Sequence, residues 1–81
     1  MSHERLRELL ARARLSAGGL DRDSHQLIAS VMRDIEIALG SGSAAAQAPR
    51  LESLAARFEA AHPRLAETLR ELMAALVRAG I

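Results

Sequence analysis

Three histidines are the side chains of this sequence best suited to acid–base or metal chemistry, and their spacing limits what they can do. His3, His25 and His62 stand on separate segments of the chain. The one close pairing is Glu59-x-x-His62, which at helical spacing sets a carboxylate and an imidazole on one face. Such a pair supplies two ligands, whereas a protein zinc site normally takes three or four. No His-x-x-x-His pair and no second Glu-x-x-His occurs, so the repeated ligand sets of a di-metal bundle are missing. Cysteine is absent, which removes thiolate metal sites, disulfides and a cysteine nucleophile. None of the seven serines sits in a Gly-x-Ser-x-Gly elbow. Gly18-Gly19 and Gly40-Ser-Gly42 lack the lysine or strand context of a phosphate-binding loop. The expectation is a chain that is not an enzyme and that holds no metal and no cofactor.

His62 matters more for its neighbour. Pro63 suits the first position of a helix, where its missing N–H costs nothing, and His62 would then cap that helix. The rival reading is a histidine switch. The junction reading is preferred because His62 falls in an apolar series, four residues after Phe58.

The charges argue against a polyanionic partner. Eleven basic residues, all Arg, face ten acidic ones, for a formal net charge of +1. Arg5, Arg7, Arg12 and Arg14 cluster near the start, but Glu4 and Glu8 interleave with them. Phe58 is the only aromatic residue, so no platform exists on which bases of a single strand could stack. If Gly18-Gly19 imitated a helix-turn-helix, Asp21 and Asp23 would open the recognition helix with charges that repel phosphate. Nucleic-acid binding through the Arg cluster is therefore the weaker alternative. No apolar run approaches the roughly 20 residues of a membrane span. The charge-mixed opening residues have no signal-peptide core. A cytoplasmic protein is expected.

The elements that would position these residues are all helical. Leu6, Leu9, Leu10 and Ala13 form an apolar stripe within residues 2–17, with Ser2 as N-cap and Gly18-Gly19 as a left-handed stop. Leu27, Ile28, Val31, Met32, Ile35, Ala38 and Leu39 line one face of residues 23–39. Asp23 and Gln26 make a loose capping box there, and Gly40 is the stop. Residues 40–48 read as a flexible Gly/Ser/Ala linker. From Pro49, the series Leu51, Ala55, Phe58, His62, Leu65, Leu69, Leu72, Leu76, Ala79 alternates steps of four and three, a heptad seam. Pro63 interrupts it at a cost of about 3 kcal/mol for a continuous helix. Two helices, 49–61 and 63–79, are expected, and Pro63→Ala is expected to favour one continuous helix. Gly80 is the last stop.

The string Arg57-Phe58-Glu59-Ala60-Ala61-His62-Pro63-Arg64-Leu65, followed by Leu76 and the ending Ala79-Gly80-Ile81, resembles a family of short bacterial proteins. That family is catalogued as domain of unknown function 4404. Its pattern is F-E-x-x-H-P-x-L followed by an amphipathic helix ending in G-I. The early Glu4-Arg5-Leu6-Arg7-Glu8-Leu9 is similar too, whereas Gly40 to Ala46 departs from the acidic middle of such proteins. The resemblance implies a small helical protein and no activity.

The expected architecture is one all-α domain, an antiparallel helical hairpin or four-helix-bundle-like arrangement with a heptad seam at its C-terminal side. The expected role is a non-catalytic protein–protein interaction module. Of the apolar residues 17 are Ala, leaving 23 large ones and no disulfide to supplement a small core. A homodimer is expected on that account, alongside an unidentified protein partner. The seam residues Leu51, Phe58, Leu65, Leu69, Leu72 and Leu76 are candidates for core or interface. Ile37, opposite the Ile28–Val31–Ile35 stripe, is a candidate for the interface, beside Ala44–Ala46 and the small face from Ala56 to Ala60.

Overall fold

The computed structural model describes residues 4–79. Among them are four α-helices, two short 3-10 helices and no strand. Ser2, His3, Gly80 and Ile81, named above as cap, ligand and stop, lie outside the described residues.

Helix α1, Glu4–Ser16, buries Leu6, Leu9, Leu10 and Ala13, the four positions that its spacing puts on one face. It does not end on a left-handed glycine. Ala17–Gly19 tightens into a 3-10 turn, closed by the Leu20 N–H donating to the Ala17 carbonyl at 3.1 Å. Gly42 is the one described residue with positive φ.

Helix α2, Arg22–Ser41, begins and ends outside the expected 23–39. Its N-cap is Asp21, not Asp23. Asp21 is extended, and its carboxylate accepts from the Ser24 N–H at 3.3 Å. Those bonds to Ser24 hold the Asp21 carboxyl below its ordinary pKa. At the far end the helix runs through Gly40. It stops at Gly42, whose φ of 76° needs a residue without a Cβ. The Gly42 and Ser43 N–H groups both donate to the Ala38 carbonyl, which satisfies the end of the ladder. The two glycines should therefore respond oppositely to Ala. Gly40→Ala has open space and helical angles, and should raise stability by about 0.5–1 kcal/mol. Gly42→Ala should lower it by about 1–2 kcal/mol because it must enter the left-handed region. Urea melts of both variants measure the difference.

The expected flexible linker is a structured segment. Only Gly42 and Ser43 separate α2 from a second 3-10 helix, Ala44–Gln47, which leads directly into α3. Ala44 is fully buried, and this turn contacts α2, α3 and α4. The Ala44 methyl is small enough to be buried in the core, so burial orders what composition alone leaves loose.

Helix α3, Ala48–Phe58, has Pro49 in its first turn and ends three residues before the expected 61. Helix α4, Pro63–Ala79, follows after residues 59–62. It packs against both α1 and α3. The molecule measures 33 × 19 × 18 Å, its long axis close to the roughly 30 Å of α2 at 1.5 Å per residue. One core joins all four helices. Leu9, Ile28, Val31, Met32, Ile35, Leu51, Leu69, Leu72 and Leu76 in it have no exposed surface. No helix of the described residues is long and apolar enough to cross a membrane.

Candidate interaction surface

The seam residues lie in this core. Leu51 and Phe58 on α3 and Leu65, Leu69, Leu72 and Leu76 on α4 are all buried within the one chain. Of their two possible places, the core has taken them, and none is free to meet a second chain. Ile37 stands apart from them on the outside of α2, at 66% exposure. Its expected neighbours are divided. Ala44 is buried and Ala45 half-buried, while Ala46, Ala56 and Ala60 are exposed.

The His62–Pro63 step sits where the chain passes from α3 into α4. The His62 N–H donates to the Phe58 carbonyl at 2.7 Å, and the His62 carbonyl accepts from the Ala66 N–H at 3.1 Å. The first bond finishes the α3 turn and the second starts the α4 ladder, so the main chain of His62 serves both helices. Its ring lies edge-on to Phe58, with centroids 6.2 Å apart at 63°. Arg57 covers the Phe58 ring at 5.7 Å. Glu59 does not join His62. The turn at 59–61 breaks the helical spacing, and the Glu59 carboxylate accepts from Arg70 at 2.9 Å. That hydrogen bond, with the charges of Glu59 and Glu52, raises the Arg70 pKa further.

The seam leucines pack α4 back against α3 across this reversal, which sets a second expected outcome for Pro63→Ala against the continuous helix. A continuous helix would pull α4 away from α3 and expose the seam. Pro63→Ala should leave the helix content unchanged, read as the 222 nm ellipticity, with a stability change within about 0.5 kcal/mol for an exposed position.

The N-terminal Arg cluster is largely spent inside the molecule. Arg5 pairs with Glu8 at 3.4 Å and Glu71 at 3.9 Å. Arg12 pairs with Glu8 at 3.6 Å and Glu71 at 3.4 Å. Arg14 pairs with Glu36. Elsewhere Arg50 joins α3 to α2 through Asp34 at 2.8 Å, and Arg70 joins α4 to α3 through Glu52 and Glu59. Each is an exposed pair of small individual worth, but together they cancel the local excess of positive charge.

The outside of α4 carries two open recesses. A shallow, mainly apolar groove of about 560 Å³ is lined by Ala48, Pro49, Met73, Ala74, Val77 and Arg78. Val77 is 61% exposed there. It shares Ala74 with a second recess, about 500 Å³, that continues along α4 past Glu67 to Pro63. Sequence reasoning singled out Ile37 but missed Val77. The same signal marks both: Val77 is one residue off the Leu69–Leu72–Leu76 line, so at 100° per residue it is turned away from that line. His25 was also missed as a tie. Its Nδ1–H donates to the Ala17 carbonyl at 3.1 Å and pins the start of α2 to the preceding 3-10 turn.

Residues 3–81 match the model of a family described as domain of unknown function (DUF4404). No curated protein and no solved structure matches the chain.

Proposed function

Because the chain belongs to the DUF4404 family, whose description names no activity, we propose from its geometry that it is a helical protein–protein interaction module. In this reading it is non-catalytic, needs no cofactor, works in the cytoplasm and self-associates as a homodimer. Its scaffold is an antiparallel, four-helix-bundle-like fold in which α3 and α4 form a hairpin and the heptad seam serves as an internal zipper.

The observation that carries the reading is the open apolar groove along α4. Protein interfaces pair an apolar centre with a polar rim. Here Pro49, Met73, Ala74 and Val77 make the centre and Arg78 the rim. Large apolar side chains are otherwise mostly used up in the core. Among the described residues, those still exposed are Leu15, Ile37 and Val77.

The alternative, a nucleic-acid-associated regulator using the N-terminal Arg cluster, is less well supported, because Arg5, Arg12 and Arg14 already have carboxylate partners. Light scattering after size exclusion tests the first reading. A mass near twice 8.7 kDa that falls on dilution is expected. A mass of 8.7 kDa at every concentration overturns self-association. Salt-sensitive retardation of a DNA or RNA probe would favour the alternative.

A further inference from the structure

We propose that the outward strip of α4 is a self-complementary docking site for the α4 of a second copy, laid antiparallel across a two-fold axis. The proposal rests on the self-association reading and names its surface and register.

Glu67 and Arg78 are 11 residues apart on one helix. At 100° per residue they fall about 20° apart, on one line along its surface. Glu71 and Ala74 lie between them on nearly the same line. Glu67 and Arg78 are exposed, and neither has a hydrogen-bond or ion-pair partner among the described residues. The charges between them are already held: Arg70 by Glu52 and Glu59, Glu71 by Arg5 and Arg12. The strip therefore offers an unpaired negative end and an unpaired positive end.

That pattern selects a direction. Parallel apposition of two such strips sets Glu67 on Glu67 and Arg78 on Arg78. Antiparallel apposition, centred between residues 72 and 73, sets the Glu67 of each copy against the Arg78 of the other. A two-fold axis makes the contact twice. Shape agrees with charge. Pro63, Ala66, Arg70 and Val77 all lie on the α3 side of the line, with Pro63 and Val77 at opposite ends of the helix. The two-fold keeps α3 side against α3 side, so the Val77 of each copy flanks the contact on the side of the other's recess, which Glu59, Glu67, Arg70 and Glu71 line along with Pro63 and Ala66. Ala74, near the crossing, adds little bulk between the helices. A 17-residue helix is about 25 Å long and about 10 Å across. That strip is less than half of the roughly 800 Å² that a standard interface takes from each partner. The pairing is thus of the weak, reversible class.

Sedimentation equilibrium on E67R, R78E and their equimolar mixture tests this. Each variant alone sets like charges against each other twice, and its dimer should weaken at least about tenfold, the effect of about 1.4 kcal/mol. The mixture restores both opposite-charge contacts in a heterodimer and should recover wild-type affinity within about threefold. I37R should dimerise like the wild type. Should either charge reversal lower the melting temperature, E67Q and R78Q replace the pair and should each weaken the dimer more than threefold. A dimeric wild type whose affinity ignores these charges, a mixture that fails to recover, or loss of the dimer in I37R overturns the α4 strip and leaves self-association standing. A wild type that stays monomeric overturns both.

Discussion

Leu72→Ala is expected to destabilise the fold by about 3 kcal/mol. Leu72 has no exposed surface, and it sits on the helix that packs against both α1 and α3. Truncation removes its transfer free energy and leaves a cavity that rigid helices on either side cannot fill. A chain of this size draws only about 3–5 kcal/mol from its core, so the variant should stand at the edge of folding at 25 °C. Its melting temperature should fall by more than about 10 °C, because each kcal/mol moves a domain of this length by about 4–8 °C. Val77→Ala, on the same helix but 61% exposed, should move stability by no more than about 0.5 kcal/mol. Urea denaturation of the two variants side by side reads the contrast. A loss below about 1 kcal/mol for Leu72→Ala would place the seam outside the energetic core.

Ala44→Asp should be nearly as damaging, in a segment whose composition reads as a spacer. Ala44 is fully buried at the start of the second 3-10 helix, a turn that as a whole contacts α2, α3 and α4. A carboxylate there loses its water. It must either stay charged at a penalty of several kcal/mol or take up a proton. Protonation ties the defect to pH with a definite sign. The folded-state pKa of the new carboxyl lies above its unfolded value, so the variant is least stable at high pH. It recovers as pH falls through that raised pKa toward the unfolded one. Ala46→Asp, two residues on and exposed, should change stability by less than about 0.5 kcal/mol at any pH. Thermal melts at pH 5 and pH 8 compare them. Equal tolerance of both substitutions would mean that residues 44–47 carry no packing load.

How much of this was legible in the chain follows from the range of the forces involved. The stripes Leu6–Leu9–Leu10–Ala13 and Ile28–Val31–Met32–Ile35 and the seam residues Leu51, Ala55, Phe58, Leu65, Leu69, Leu72 and Leu76 repeat at helical spacing and are buried as that period demands. Pro49 and Pro63 stand at helix starts because a proline ring fixes φ and lacks an N–H wherever it occurs. The absence of thiols and of repeated ligand spacing likewise needed no coordinates.

Other features had no local signature. Asp21 rather than Asp23 caps α2, and Gly42 rather than Gly40 ends it, because both candidates in each pair satisfy the same local chemistry. The Ala run at 44–46 reads as loose, yet Ala44 is fully buried. The charges were the least legible. Arg5, Arg12 and Glu71 are distant in sequence, and only the fold makes them neighbours. Arg5, Arg12 and Arg14 of the basic cluster are thereby paired in space. The periodic burial of apolar residues along each helix was determined by the sequence alone, since it depends on contacts a turn or two away. Which alanines were buried and which charges were left unpaired was decided only by tertiary structure, since each depends on residues that the chain brings together from distant positions.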